Sequence, residues 1–268
     1  MKIKILIIFF LLFITNVKGQ YTTNKIKDDL QERYDQVLKE NNIKKIKMVF
    51  HNAEYIDKPD KNIYYYNINE NGQLKKKYNN DHIIENEYDS KGKLIVKKEL
   101  ETIIDYIASY KYNNKDQLIE IFYRDTDSNE FIRRITFDYN SKGKLKLRNI
   151  YISEDTLWRR HTFNYNKENQ IIQEEEYYPL GKRSNYYTFS YDENGNLIEV
   201  EKNEELLMKY LYNESGFIIK EETHERGNIL TIETVYDENG LIHEIKQYDK
   251  IAGTVYIRQY TYTSYKGD

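Results

Sequence analysis

The sequence predicts an all-β protein, built from tandem β-hairpin repeats that run as a long curved antiparallel meander or partial barrel behind one N-terminal helix. Three observations carry this reading. The 268 residues include 28 Tyr against 2 Pro and 1 Trp, and a flat amphipathic ring suits a half-buried pleated surface. A short motif with turn chemistry recurs from about residue 62 to the end. Its copies lie about 24 residues apart, a period that marks an array of one supersecondary unit.

The first element, residues 1–19, has the layout of a secretory signal peptide. Met1-Lys2-Ile3-Lys4 is a basic start, Ile5 to Ile14 an apolar run, and Val17-Lys18-Gly19 places small residues before Gln20. Its removal takes away three lysines and no acid, lowering the formal net charge from -3 to -6. A mildly acidic chain with interspersed signs excludes nucleic acid as a partner, since that needs a basic face. With 0 Cys, the chain is neither a lipid-anchored lipoprotein nor a disulfide-stapled module. The mean hydropathy is -0.86, and no later stretch approaches the roughly 20 apolar residues of a spanning helix. The expectation is an exported protein, periplasmic or extracellular, with no membrane span after cleavage.

The second element, residues 20–43, is a helix. Ile26, Leu30, Tyr34, Val37 and Leu38 fall at spacings of three and four and share one face. Asn24 is the N-cap candidate, and Asn41-Asn42 the stop, which places the helix over roughly 24–42. Its apolar face is expected to cover one end of the sheet.

The third element, residues 44–268, is the repeat domain. Copies start at Ile68, Tyr88, Tyr112, Tyr139, Tyr165, Tyr191, Tyr212 and Tyr236, with a truncated ninth at Tyr262. In the eight full copies the next residue is always Asn or Asp, whose side chain caps backbone N–H groups two residues on and starts a type I turn. Three places further come Gly72, Gly92, Asp116, Gly143, Asn169, Gly195, Gly216 and Gly240, residue types that tolerate positive φ. An aliphatic residue then re-enters the core, from Leu74 in the first copy to Ile242 in the eighth.

Each unit therefore reads as a β-hairpin. Entering strands alternate cleanly, with Tyr187, Phe189 and Tyr191 on one face and Thr188 and Ser190 on the other. Leaving strands do not, because Leu197-Ile198-Glu199-Val200 offers apolar residues to both faces. A two-residue loop and a three-residue bulged loop both remain open, and they place Tyr191 opposite different partners. Return connections such as Asp125–Ser128 and Pro179–Gly181 differ in length and are polar, as surface loops are. Two strands per repeat give about sixteen to eighteen, a number that must twist and coil, with aromatics inside.

These units resemble the YD repeat of the Rhs family, most clearly at Tyr191-Asp192-Glu193-Asn194-Gly195-Asn196-Leu197 and Tyr236-Asp237-Glu238-Asn239-Gly240-Leu241-Ile242. The resemblance covers about residues 62–268. It implies an Rhs-like β-sheet shell with a theme of carbohydrate binding and cell-surface contact. The array is short, several pairs read Tyr-Asn, and no toxin or autoproteolytic segment follows it.

No catalytic pattern accompanies the repeats. His51, His82, His161, His224 and His243 show no metal-ligand spacing. His161 occupies an inward slot, while His224 and His243, in adjacent repeats, could approach each other. The acids of Glu174-Glu175-Glu176 and Glu221-Glu222 lie among lysines and read as a solvated face. No nucleophile elbow, phosphate loop or dinucleotide fingerprint is present. The expectation is thus no catalytic residue, no metal and no cofactor. Trp158, Tyr186 and Tyr187, near variable loops, are the candidate binding residues for a glycan or protein surface. Tyr64-Tyr65-Tyr66 puts rings on both faces of one strand. The strand at residues 256–262 is expected to be an open edge able to pair with another chain. The expected function is a non-enzymatic exported binding protein, or alternatively a neutralising or scaffold module for a protein partner. An envelope-polymer-degrading enzyme is the third class.

Overall fold

The computed structural model describes residues 21–52, 63–100, 105–179, 183–253 and 255–265, so the expected signal segment lies outside the described residues. Helix α1 (Tyr21–Glu40) comes first, close to the expected 24–42. The first six strands are β1 (Ile43–Asn52), β2 (Ile63–Ile68), β3 (Leu74–Tyr78), β4 (Ile83–Tyr88), β5 (Leu94–Leu100) and β6 (Tyr106–Tyr112). Next come β7 (Leu118–Asp125), β8 (Phe131–Tyr139), β9 (Leu145–Tyr151), β10 (Leu157–Tyr165), β11 (Ile171–Tyr177) and β12 (Arg183–Tyr191). The last six are β13 (Leu197–Lys202), β14 (Glu205–Tyr212), β15 (Ile218–Glu225), β16 (Asn228–Tyr236), β17 (Ile242–Asp249) and β18 (Val255–Ser264).

Every strand pairs antiparallel with its neighbours in the chain, and β1 also pairs with β18, from Ile43 opposite Ser264 to Asn52 opposite Tyr256. The meander therefore closes into an 18-stranded barrel, which removes the edges an open sheet would leave. This corrects the expectation of an open edge at residues 256–262. All of those residues pair with β1, and Tyr256, Ile257, Arg258 and Gln259 pair with β17 on the other side.

The hairpin turns settle the open register. The Asn69 N–H donates to Gln73 C=O at 2.8 Å and the Gly72 N–H to Asn69 C=O at 3.0 Å, and all eight turns repeat this pair. Asp192 Oδ1 accepts from the N–H groups of Asn194 at 3.0 Å and Asn196 at 2.8 Å. This is the three-residue loop with a bulge. A second bulge follows at once, since Tyr191 faces Leu197 while Ser190 faces Glu199, leaving Ile198 unopposed. The extra residue resets the in/out alternation, so Leu197 and Val200 both point inward. Leaving strands looked irregular in sequence for that reason.

The repeat tyrosine does more than cover the core. Near each turn, the carbonyl of the aliphatic residue that begins a strand lies beyond the ladder to the next hairpin. The tyrosine hydroxyl of that next hairpin supplies the donor. Tyr88 donates to Leu74 C=O at 2.8 Å, Tyr139 to Leu118 C=O at 2.7 Å, and Tyr191 to Ile171 C=O at 2.7 Å. Tyr112, Tyr165, Tyr212, Tyr236 and Tyr262 make the same bond one repeat back. A carbonyl without a partner would be costly here, so the tyrosine ties neighbouring hairpins together.

Helix α1 lies across the turn end of the barrel, as its apolar stripe implied. Tyr34 and Leu38 are buried with Ile46, Met48, Tyr66, Ile68, Leu74, Ile242 and Tyr260 in one apolar cluster. The Tyr34 hydroxyl meets the Tyr262 hydroxyl at 2.7 Å and accepts from the Ile242 N–H at 3.3 Å. Arg33 donates to Gly216 C=O and Asn41 to Asn239 C=O, which fixes the helix on three different turns together with Gly72. A second apolar cluster, from Phe137 to Ile218, lines β8 to β15.

Candidate functional site

Towards the return-loop end, the inward face of the wall changes from apolar to charged. Glu174 and Glu176 on β11 are both 0% exposed. Arg159 on β10 reaches Glu176 at 2.8 Å, and Arg148 on β9 lies 3.7 Å from Glu174. Between them the His161 Nδ1–H donates to Glu174 at 2.7 Å, and its Nε2 lies 4.0 Å from Glu176. Asn185 on β12 also donates to Glu176. Two guanidinium groups thus match two carboxylates, the condition under which buried charge is tolerated. Burial, with Arg148 nearby, pushes the His161 imidazole below its ordinary value despite the pull of Glu174, so the ring is neutral.

These acids correct the sequence reading of a solvated face. Glu175 and Glu222 face outward, while Glu174, Glu176 and, at 4% exposed, Glu221 lie inside. A second inward group joins β4 to β6. Glu99 lies 2.5 Å from Lys97 and 3.2 Å from His82, and it accepts from the Tyr106 hydroxyl. Burial would raise the Glu99 carboxyl, but the bond to His82 and the charge of Lys97 hold it well below the usual range.

The outward face of the same region carries a pocket of about 340 Å³, lined by Leu157, Arg160, Thr162, Tyr177, Tyr178 and Pro179. Arg160 on β10 faces Tyr177 on β11 and Asn149 on β9, so all three share the outer face. Its Nε–H donates to Asn149 Oδ1 at 3.0 Å, and Asn149, 6% exposed, approaches the Thr136 hydroxyl at 3.4 Å. A neutral, buried amide therefore orients the guanidinium. Glu175 beside the pocket already accepts from Gln173 at 2.6 Å and from the Tyr177 hydroxyl.

The three expected binding residues do not form one surface. Tyr187 is 0% exposed and points inward over the carboxylate network, which holds its phenol above the ordinary value through burial and the Glu176 and Glu174 charges. Tyr186 faces outward beside Glu175, on the pocket side. The Trp158 ring stacks at 3.8 Å on the Arg159 guanidinium, which lies 5.3 Å from the Tyr178 ring. Trp158 thus braces the rim and Tyr186 flanks the pocket, while Tyr187 belongs to the interior. The doublets Arg159-Arg160 and Tyr177-Tyr178 at strand ends were the missed signal, with Arg160 and both tyrosines lining the pocket.

His161 is inward, as expected, and His224 on β15 is separated from His243 on β17 by β16. Among the described residues no group of three or more His, Cys, Asp or Glu is placed to hold a metal ion. Tyr65 and Tyr66 do point to opposite faces, at 39% and 1% exposed.

No family model and no curated protein matches the chain. Solved structures are similar to it over much of its length. A porin-like protein from Bacteroides uniformis matches over 83% of this chain and 97% of its own, at 12% identity and a TM-score of 0.46. The TcdB2-TccC3-TEV structure matches over 74% of this chain, at 12% identity and a TM-score of 0.31. The Photorhabdus luminescens Tc holotoxin pore matches over 78%, at 12% identity and a TM-score of 0.34. The matched parts are 13% and 14% of those two longer chains.

Proposed function

We propose that this protein is an exported, non-enzymatic β-barrel that binds a glycan through the outward pocket at the return-loop end of β10 and β11. The observation that carries the reading is the pocket itself, where two tyrosine rings and Pro179 stand beside an oriented guanidinium and a hydroxyl. Flat rings beside a few fixed polar groups suit the two sides of a sugar, its C–H face and its hydroxyl edge.

The rest of the wall supports a water-exposed scaffold. Its outer face carries cross-strand pairs, including Lys76 with Glu85 at 2.7 Å, Lys111 with Glu120 at 2.5 Å and Lys209 with Glu199 at 3.3 Å. A barrel in lipid needs an outward apolar band about 25 Å tall. Glu174 and Glu176 favour a structural role, being matched by guanidinium groups and facing away from the pocket.

The test is a glycan array read with wild-type protein and Tyr178→Ala. Binding that falls by at least about tenfold in the variant is the expected result; binding indifferent to it would move the site elsewhere. A protein partner is the second reading, favoured by Ile152 and Ile251, which are 52% and 71% exposed on two return loops. Co-purification of a stoichiometric protein, lost in an Ile152→Ser, Ile251→Ser double variant, would establish it instead.

A further inference from the structure

We propose that the sugar taken by this pocket is acidic, its carboxylate received by Arg160; this rests on the glycan reading above. Arg160 differs from the other guanidinium groups near it. Arg148 and Arg159 are matched by Glu174 and Glu176 inside the wall. Arg134 donates to Glu154 C=O and stacks at 4.6 Å on Tyr151. Arg160 is exposed, lines the pocket, and among the described residues is held by the Nε contact with Asn149.

That arrangement has chemical consequences. A guanidinium held through Nε presents its remaining N–H groups as a fork, and a planar carboxylate is the complement of a fork. The amide holding it is neutral, so that contact leaves the positive charge of Arg160 in place. The acid next to it, Glu175, has its oxygens engaged by Gln173 and Tyr177. The walls decide between anions of similar charge. Tyr177, Tyr178, Pro179 and Leu157 make a flat apolar lining with room for a ring, which suits a carboxylate borne on a pyranose. An extended acidic peptide would leave that lining uncovered.

The experiment compares two probes that share one ring, oligogalacturonate and its methyl-esterified form, against wild-type protein and Arg160→Gln by isothermal calorimetry. The expected result is that wild type binds the acid at least about tenfold more tightly than the ester, a preference weakened by salt. In Arg160→Gln that preference falls to about onefold while thermal unfolding stays unchanged, because Arg160 is at the surface. Equal binding of acid and ester by wild type overturns the acidic-sugar inference and leaves the glycan reading standing. No binding of any glycan, charged or neutral, overturns both. Preferential capture of an acidic peptide over the sugars also overturns the proposal.

Discussion

A single hydroxyl per repeat accounts for much of what joins one hairpin to the next. Replacing Tyr191 by Phe keeps the ring and removes the 2.7 Å bond to Ile171 C=O. The expected loss is about 1 kcal/mol, measured by urea unfolding; no loss would mean that water serves that carbonyl equally well. The turn residues give a sharper contrast. Gly227 and Gly72 both have φ +81, but a Cβ at Gly227 meets nothing within 4 Å, whereas one at Gly72 would lie 1.9 Å from Asp35 C=O. Gly227→Ala is expected to cost about 1–2 kcal/mol from backbone strain alone, and Gly72→Ala clearly more, because α1 must lift. Equal melting temperatures for the two variants would refute that account of the helix seat. At this scale the turn positions were legible in sequence, since Asx capping and positive φ act within five residues, while the loop type was left open. The tyrosine partners were not, because each carbonyl lies about twenty residues back in the chain.

Among the elements, strand parity explains both what could be read and what was hidden. Entering strands keep period two and were assigned to the right faces. Leaving strands carry a bulge after every turn, which moves Glu174 and Glu176 from an apparent solvent face into the wall. Glu174→Ala strands His161 and Arg148 in a dry interior, and a loss of about 3–5 kcal/mol is expected in chemical denaturation. The pocket was half visible for the same reason: Tyr186 and Trp158 mark its surroundings, but only the register shows that Arg160 and Tyr177 share a face.

Helix α1 adds a pH effect. Burial raises the Asp35 carboxyl from 3.8 to about 7, the bond from Gln31 offsetting this in part. The folded state therefore keeps a proton that the unfolded chain releases, and stability falls as pH rises from about 4 to about 7. His161, with its lowered value, works in the opposite direction below its ordinary 6.5. Unfolding midpoints of wild type and Asp35→Asn, compared between pH 5 and 7.5, isolate the carboxyl. The advantage of the Asn variant is expected to grow with pH, and a constant difference would contradict it.

For the whole molecule the decisive fact is closure. Repeat number and hairpin identity predicted a curved sheet of the right size, but pairing of β1 with β18 depends on accumulated twist and stagger rather than on any local motif. Closure is also reinforced outside the ladder. Tyr265 donates from its hydroxyl to Ile68 C=O, and from its N–H to Asn42 C=O at 2.7 Å, while Lys44 lies over its ring. A chain ending before Val255 loses β18 and leaves two bare edges. It is expected to give up cooperative unfolding and near-ultraviolet dichroism, and retention of both would show that the ring is dispensable.

The seam also sets the order in which the molecule can be made. Ile43 and Ser264 are partners although they stand at opposite ends of the described chain, so β1 has its second neighbour only once the last strand exists. Hairpins form from contacts a few residues apart, whereas this final ladder must bear the entropy of closing a loop of more than two hundred residues, a cost that grows as about (3/2)RT ln n. Refolding is therefore expected to be biphasic, with fast local hairpins followed by one slow step. During that interval the two exposed strands can equally well meet those of another molecule, so the yield of the ring falls as protein concentration rises.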